Sequence, residues 1–321
     1  MNVVNITSIS KFGLSMLTAL TLYYNSCCFN CVIYTKKQAD NQSKRAQKFI
    51  LAKQNNNREV TMKAELISTV FLSEKRKNTL LMLMDGPASV DEIKDSLTGT
   101  TSAIMAQVKI LFEQGLIEQK DDQCRLTSIG KLIMKKIRPL IETLNVVEDN
   151  KDYWDSRNLD PIPEFLLDRI GNLGEILIHE PDLNHLFEPP KALLTSLKQT
   201  RNVCTFYSYF CPTCPYNYSE LAKNEVNYNL ILTRPVYERL RDEYTEQHDA
   251  MINSKNSHMY ICDDESMKLG ALSVTDDLML IAFFNKDGFF DHKKVLSFEE
   301  SARNWGQDLF QYYKERSEKI K

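Results

Sequence analysis

Between residues 62 and 145 the apolar positions recur at helical spacing in short blocks, and beyond 146 they gather into runs of strand length separated by helical stretches. In the first region Leu80, Leu81, Leu83 and Met84 predict a helix that Ser73 opens and Asp85-Gly86-Pro87 stops. Ser89 and Glu92 have the S-x-x-E spacing of a capping box, ahead of a short helix that buries Ile93 and Leu97. After the break Thr98-Gly99-Thr100-Thr101, the residues Ile104, Val108 and Leu111 form one stripe of a third helix running from Ser102 to about Gln114. Two short strands, Leu116 to Glu118 and Cys124 to Leu126, enclose Lys120-Asp121-Asp122-Gln123, and Thr127 caps a last helix from Ser128 to about Leu144.

Three helices, a hairpin and a closing helix are the order of a winged helix-turn-helix, whose third helix enters the major groove of double-stranded DNA. The solvent face of that helix offers Ser102, Ala103, Ala106, Gln107 and Ile110, with Thr101 ahead of it and Lys109 at its flank. Small residues let a helix approach base edges closely, and a glutamine such as Gln107 can bond adenine through both its amide atoms. Lys75, Arg76, Lys77, Lys94, Lys120 and Arg125 are the available phosphate contacts, although Asp121 and Asp122 suit the wing poorly to that role. A helix-turn-helix can also serve as a protein-interaction module.

From 146 onward, "ILIH" (176 to 179), "VCTFYSYF" (203 to 210), "VNYNLILT" (226 to 233), "HMYIC" (258 to 262), "LGALSVT" (269 to 275) and "LMLIAFF" (278 to 284) read as strands. Helices are expected near 189 to 200, 215 to 224 and 235 to 253, with a long final one from about 299 to 319. The fold class is therefore α+β and multidomain. A winged helix-turn-helix over 62–145 is followed by an α/β effector and dimerisation domain over 146–321 with a mixed sheet and a long C-terminal helix. "KDG" (286 to 288) reads as a hairpin turn between Phe283-Phe284 and Phe289-Phe290, and Asp276-Asp277 as another turn. Trp305, Leu309, Phe310 and Tyr313 share one helix face, as core or as a dimer contact.

Ligands of α/β sheets gather at the C-terminal ends of strands, above all where strand order reverses. Tyr207, Ser208, Tyr209, Thr233 and Arg234 stand there as candidates for a small polar effector. Cys211 and Cys214 form a C-x-x-C that could serve a thiol-disulfide couple, half a zinc site, or nothing. A zinc site lacks its second pair, since Cys28 and Cys31 lie far away, so no metal is expected. Pro212 and Pro215 place the helix start after Pro215, leaving Cys214 the thiol nearer to it. The histidines show no H-E-x-x-H spacing, and neither G-x-S-x-G nor a P-loop occurs, so no catalytic residue and no cofactor are assigned.

Composition alters this picture at the N-terminus. The 321 residues are 43% hydrophobic and 26% charged, as in globular proteins, with a net charge of -3. Residues 1 to 61 are basic, however, so the remainder is more acidic than the total suggests, which argues against broad non-specific nucleic-acid binding. Residues 12 to 34 carry no charge and are long enough to cross a bilayer, though Asn25, Ser26 and Asn30 interrupt the run. Three readings stay open for 1–61: an upstream reading-frame extension before a true start at Met62, a membrane anchor, or a disordered arm. The eight cysteines are too dispersed for a disulfide framework, so free thiols in the cytoplasm are the default.

"LSEKRKNTLLMLMDGP", "EIKDSL", "QVKILFEQGLI" and "LTSIGKLI", with "EDNKDYW", "IPEFLLDRIGNLG", "SVTDDLMLIAFFNKDGFFD" and "SFEESARNWGQDLFQYYKERSEKI", carry a wider likeness. From about Met62 to Ile320 the chain resembles the winged-helix transcriptional regulators of methanogenic archaea whose C-terminal part is a methanogenesis-regulator (filamentation-regulator) domain. The resemblance implies a dimeric DNA-binding regulator with a sensing or assembly domain, and a start near Met62. The C-x-x-C is not a motif of that family. Whether its thiols form a redox switch, and whether the α/β domain is instead an enzyme, are the competing expectations.

Overall fold

The computed structural model describes residues 64–264 and 268–320, so the expectations for residues 1–61 lie outside the described residues. Two compact units are present, divided between Arg125 and Leu126. The sequence reading sets its boundary twenty residues later.

The first unit runs α1 (Ala64–Phe71), α2 (Glu74–Asp85), β1 (Ala88–Ser89), α3 (Val90–Ser96), α4 (Thr101–Glu113), β2 (Ile117–Lys120) and β3 (Gln123–Leu126), with the strands in the order β1-β3-β2. Local chemistry sets these bounds. Ser73 accepts from the Arg76 N–H at the start of α2, and Ser89 and Glu92 complete a reciprocal capping box on α3. Thr100 caps α4 by accepting from the Ala103 N–H. Leu80, Ile93, Ile104, Val108 and Leu111 are buried beneath these helices. At the tip of the β2-β3 hairpin Asp121 and Asp122 both have positive φ, 53° and 60°, the conformation of a two-residue turn that favours Asn, Asp and Gly. Helix α1 and strand β1 carry no sequence signal strong enough to be anticipated.

The second unit starts with α5 (Ser128–Glu148), capped by Thr127, then α6 (Lys151–Ser156), α7 (Glu164–Leu167) and a 3-10 turn (Ile170–Leu173). Helix α5 lies so close to that turn that a β-carbon on Gly171 would sit 2.8 Å from the Thr143 backbone nitrogen. There follow β4 (Leu177–His179), α8 (Lys191–Gln199), β5 (Asn202–Tyr207), α9 (Cys214–Lys223), β6 (Asn227–Thr233), α10 (Arg234–Glu243), α11 (Thr245–Asn253) and β7 (Ser257–Cys262). The unit closes with β8 (Leu269–Val274), β9 (Met279–Phe283), β10 (Lys294–Ser297), α12 (Glu300–Lys314) and β11 (Glu318–Lys319). Eight strands make one mixed sheet in the order β11-β7-β6-β5-β8-β9-β10-β4, parallel over β5, β6 and β7 and antiparallel elsewhere.

Alternation along the strands sends side chains to two cores. Phe206, Ile231, Leu272, Ile281 and Val295 meet Trp305, Leu309, Phe310 and Tyr313 of α12 on one face. Those four α12 residues are thus core. Tyr207, Leu230, Leu232, Leu280 and Leu296 meet α8, α9, α10 and α11 on the other. The contact of α12 with the sheet is close, since a β-carbon on Gly306 would stand 2.8 Å from Met279 and Val274 side-chain atoms.

Several expectations shift. The helix expected over 235 to 253 is two, broken at Tyr244. The final helix stops at Lys314, and the residues beyond add the edge strand β11. "KDG" does form a turn, with Gly288 at φ 81°, yet Phe289-Phe290 is no strand, and the return to the sheet waits until Lys294. The Asp276-Asp277 turn is held by side chains, Asp276 accepting from the Arg201 N–H at 2.7 Å and Asp277 from Ser196 and Thr275.

Candidate functional site

In the first unit the α4 stripe of Ile104, Val108 and Leu111 faces inward, which leaves Thr101, Ser102, Ala103, Ala106 and Lys109 exposed together. The fully exposed side chains in the N-terminal half of α4 are therefore all small or hydroxyl-bearing, with Met105 half-buried beside them. Gln107 does not join them. Its amide oxygen accepts from the Arg76 guanidinium and, at 3.4 Å, from the Ser73 hydroxyl. Arg76 in turn donates to the Thr69 carbonyl and, at 3.2 Å, to the Ser68 carbonyl. Two residues expected to touch DNA are thus bonded to one another and hold α1, α2 and α4 together. With its acceptor occupied, Gln107 in this conformation has only its amide donor free for a base.

The remaining cations differ in how committed they are. Arg125 pairs with Glu118 at 2.8 Å across the hairpin, and Lys109 stands 3.8 Å from Glu113. Lys77 and Lys94 pair at 2.8 Å with Glu74 and Asp91 on their own helices. Lys75 lies over the turn before α4, its Cε 3.0 Å from where a Gly99 β-carbon would be. Lys120 is exposed beside the acidic hairpin tip.

In the second unit the crossovers after β5 and β6 both place their helices on the same face, so the parallel strands make no crevice of the strand-reversal kind. A small apolar cavity of about 30 Å³, room for about one water-sized molecule, lies instead between the strand ends and α9 to α11. Tyr207, Tyr209, Cys211, Cys214, Tyr218 and Leu240 are among its walls. Burial raises the hydroxyl pKa of Tyr207, Tyr209 and Tyr218 above the ordinary tyrosine value. Of the five effector candidates, only Tyr207 and Tyr209 reach the cavity. Ser208 turns away, its hydroxyl donating to the Gly270 carbonyl at 3.1 Å. Thr233 ends β6, and Arg234 reaches Asp263 at 3.0 Å and Glu318 at 3.6 Å, where it ties the edge strand down.

Cys211 and Cys214 are joined as a disulfide, their Cα atoms 5.3 Å apart and both side chains buried. This pair therefore departs from the free thiols expected, whereas Cys124, Cys204 and Cys262 form no disulfide. Helix α9 begins at Cys214 itself, not after Pro215 as expected, since proline fits a helix's first turn, and Thr213 is its N-terminal boundary. Cys211 also lies 3.7 Å from the Phe187 carbonyl. Among the described residues no group of three or more His, Cys, Asp or Glu is arranged to hold a metal ion.

Sequence reasoning missed a second set of polar residues beside β10. Arg157 is buried, holds Asp291 through both guanidinium nitrogens and lies 4.3 Å over the Tyr153 ring. Lys294 is buried within β10. The signal was present in "FFDHKKVLS", where a lysine falls at an inward position of an apolar run, but the strand itself had not been recognised.

The description "Methanogenesis regulatory protein FilR1, N-terminal domain" matches residues 64–145, and "Methanogenesis regulatory protein FilR1, middle domain" matches residues 186–316. The chain belongs to the methanogenesis regulatory protein family. Within that family, Methanogenesis regulatory protein FilR1 of Methanothrix harundinacea (strain 6Ac) is 23% identical over 255 residues, covering 77% of this chain. The match covers 56% of that relative, so the chain spans little more than half the length of the curated regulator it matches. Among solved structures, TrmBL2, described as an archaeal chromatin protein with a novel mode of DNA binding, overlaps 75% of this chain and 92% of its own, with 13% identity and a TM-score of 0.37. Nuc of Salmonella typhimurium, a phospholipase D family member, overlaps 46% of this chain and 98% of its own, with 10% identity and a TM-score of 0.31. Overlaps this low carry no argument about the methanogenesis-regulator fold or its activity. Among the described residues no helix is long and apolar enough to cross a membrane.

Proposed function

We propose that the chain is a DNA-binding transcriptional regulator whose first unit is a winged helix-turn-helix with α4 as its reading helix. The observation that carries this is the exposed N-terminal half of α4, where Thr101, Ser102, Ala103 and Ala106 leave space for base edges and Lys109 stands at the flank. Arg76 and Gln107 then act by fixing the tilt of α4, and Lys75 and Arg125 supply phosphate contacts. The family assignment supports the regulatory role over an enzymic one. Such a protein works in the cytoplasm, where the DNA is.

The reading includes a homodimer. On α5 the apolar Ile129, Leu132, Leu140 and Leu144 are exposed along one side of the helix, and the same stripe of a second copy is the self-complementary partner that a two-fold dimer supplies. The second unit then biases the spacing of the two reading helices when its effector binds. The test is selection of bound genomic fragments, followed by affinity measurements on the best one. Ser102→Val with Lys109→Met is expected to weaken specific binding at least tenfold. Unchanged affinity and unchanged sequence preference would remove α4 from the interface.

A second reading, a thiol switch, is favoured by one observation: Cys211 and Cys214 are bonded on the wall of the aromatic cavity. In a reducing cytoplasm such a bond is transient by nature. Operator binding with and without reductant, on the native protein and on Cys211→Ser/Cys214→Ser, discriminates. Equal affinity in all four measurements disposes of the switch.

A further inference from the structure

The charge of the first unit opposes a polyanion. Between Ala64 and Arg125 seven Lys and Arg stand against ten Asp and Glu, a net charge of -3. Several of those cations are committed as well, Lys77, Lys94 and Arg125 to carboxylates at 2.8 Å and Arg76 to Gln107. Proteins are drawn to duplex DNA chiefly by cations that displace its condensed counterions. The unit's own charge does not supply that attraction.

The missing cations follow directly along the chain. From Gln123 to Ile141 there are Arg125, Lys131, Lys135, Lys136 and Arg138 and no acid, whereas no other acid-free stretch among the described residues holds more than three cations. All but Arg125 belong to α5. Lys131, Lys135 and Arg138 recur at i, i+4 and i+7, so they form one ridge along the helix. Arg138 is bonded to Glu142 at 3.0 Å. Lys131 and Lys135 are exposed, and no carboxylate among the described residues pairs with either. The ridge is a different side of α5 from that of Ile129, Leu132, Leu140 and Leu144, to which Lys136 belongs by its position between Leu132 and Leu140. One helix thus has an apolar side and a cationic side, both free for partners.

We propose that Lys131 and Lys135 of α5 make a second contact with double-stranded DNA, gripping its phosphate backbone while α4 reads the bases. Like charges one helical turn apart destabilise a helix, and an anionic partner supplies the charge that the chain withholds. A lysine ammonium meets phosphate as a point charge, and four helical residues rise about 6 Å, which lets the two reach separate phosphates. Arg125 lies three residues before α5 begins, so the cationic run continues along the chain from the hairpin. The proposal rests on the DNA-binding reading and adds that the second unit also holds the duplex.

The experiment follows binding of the full chain to its best selected genomic fragment by fluorescence anisotropy across a salt series, with oligomer mass read by sedimentation. Lys131→Gln/Lys135→Gln is expected to weaken binding at least tenfold at moderate salt. The slope of log affinity against log salt should fall by about 1.8 per protomer, two contacts at about 0.9 each. Sequence preference and melting temperature should stay native, and Lys131→Arg/Lys135→Arg should keep both affinity and slope. Lys198→Gln/Lys255→Gln removes two other exposed lysines of the second unit and should leave the slope alone. An unaltered slope in Lys131→Gln/Lys135→Gln overturns the proposal. So does an equal fall in the Lys198 and Lys255 control, which would make the attraction one of net charge. A double variant that becomes monomeric with its slope kept would assign the ridge to an acidic face of a second copy, and also overturns it. A native protein that binds no fragment fails the regulator reading before any variant is made, and this proposal with it. Native binding with an unaltered double variant removes this proposal alone.

Discussion

The two units pair charges at the surface alike but differ in what they place beneath it. In the first, charged side chains sit at the surface and pair with one another over short distances, as Arg125 does with Glu118 and Lys94 with Asp91. The second has such surface pairs too, as Arg239 with Glu243 at 2.9 Å, but it also buries polar groups: Arg157 is held against Asp291, Thr205 accepts from the Tyr218 hydroxyl at 2.6 Å, and Lys294 lies in a strand. Surface pairs are worth little and can be exchanged for contacts with a partner at small cost. Buried groups are costly to disturb, so they define one geometry and make binding of a matching ligand consequential. The contrast separates a surface whose pairs exchange readily from an interior that holds one geometry.

The contrast is tested most severely in the core. Trp305 is 1% exposed, and its indole N–H donates to the Leu166 carbonyl at 2.9 Å. Trp305→Ala is expected to cost about 3–5 kcal/mol in the unfolding of the second unit, from lost burial and the cavity left behind. Urea unfolding followed by amide exchange checks it. Loss of protection in α4 equal to that in β8 would show that the units do not unfold separately.

A smaller effect comes from Lys294, whose pKa burial pushes down to about 8 from 10.5. The groups around it are His179 on β4, His292 on the preceding loop, and the Asp291–Arg157 and Glu180–Lys293 pairs. His179 and His292 are themselves held below the ordinary histidine value by burial and then by Lys294. The unfolded chain keeps its lysine proton to higher pH, so between about 8 and 10.5 the unfolded state binds more protons and stability must rise with pH. The native protein should gain on the order of 2 kcal/mol relative to Lys294→Met between pH 7.5 and 9.5. A parallel pH dependence of the two proteins would place the ammonium in water.

The smallest effect belongs to the first unit. Arg125→Ala removes an exposed ion pair and should change stability by no more than about 0.5 kcal/mol in chemical denaturation. The same substitution is expected to lower DNA affinity and to flatten its salt dependence by about one phosphate contact. A stability loss of about 2 kcal/mol would make Arg125 a structural residue and erase the distinction between the units.

Legibility in the sequence follows the range of the interactions. The capping box of Ser89 and Glu92, the stripe of Ile104, Val108 and Leu111, and the stop at Asp85-Gly86-Pro87 act over a few residues, and their helices are found within a residue or two of expectation. The six strands expected after 146 are also present, because each is a compact apolar run. What escaped depends on distant partners. Strand β10 holds only Lys294 to Ser297, and it is the pairing with β9 and β4 that makes it a strand. Gln107 looked free for DNA because Arg76, 31 residues earlier, gives no local sign of reaching it. Ser208 and Arg234 were selected by position at strand ends, whereas alternation turns the first away and Asp263 draws off the second.

The two-residue strand β11 has a consequence beyond ordering the last helix. Glu318 and Lys319 pair with Ile261 and Tyr260, and the Ile320 N–H reaches the Met259 carbonyl at 2.9 Å. Every one of the six residues of β7 except His258 is buried, so an uncovered β7 would offer a long apolar row of backbone donors and acceptors to another chain. With charged residues along β11 and Arg234 gripping Glu318 from β6's end, the sheet instead presents a short, charged margin over part of β7, which disfavours pairing with another molecule. Strand β11 thus acts as a guard against sheet-to-sheet aggregation, and replacing Glu318 and Lys319 with proline is expected to lower solubility before it costs the fold.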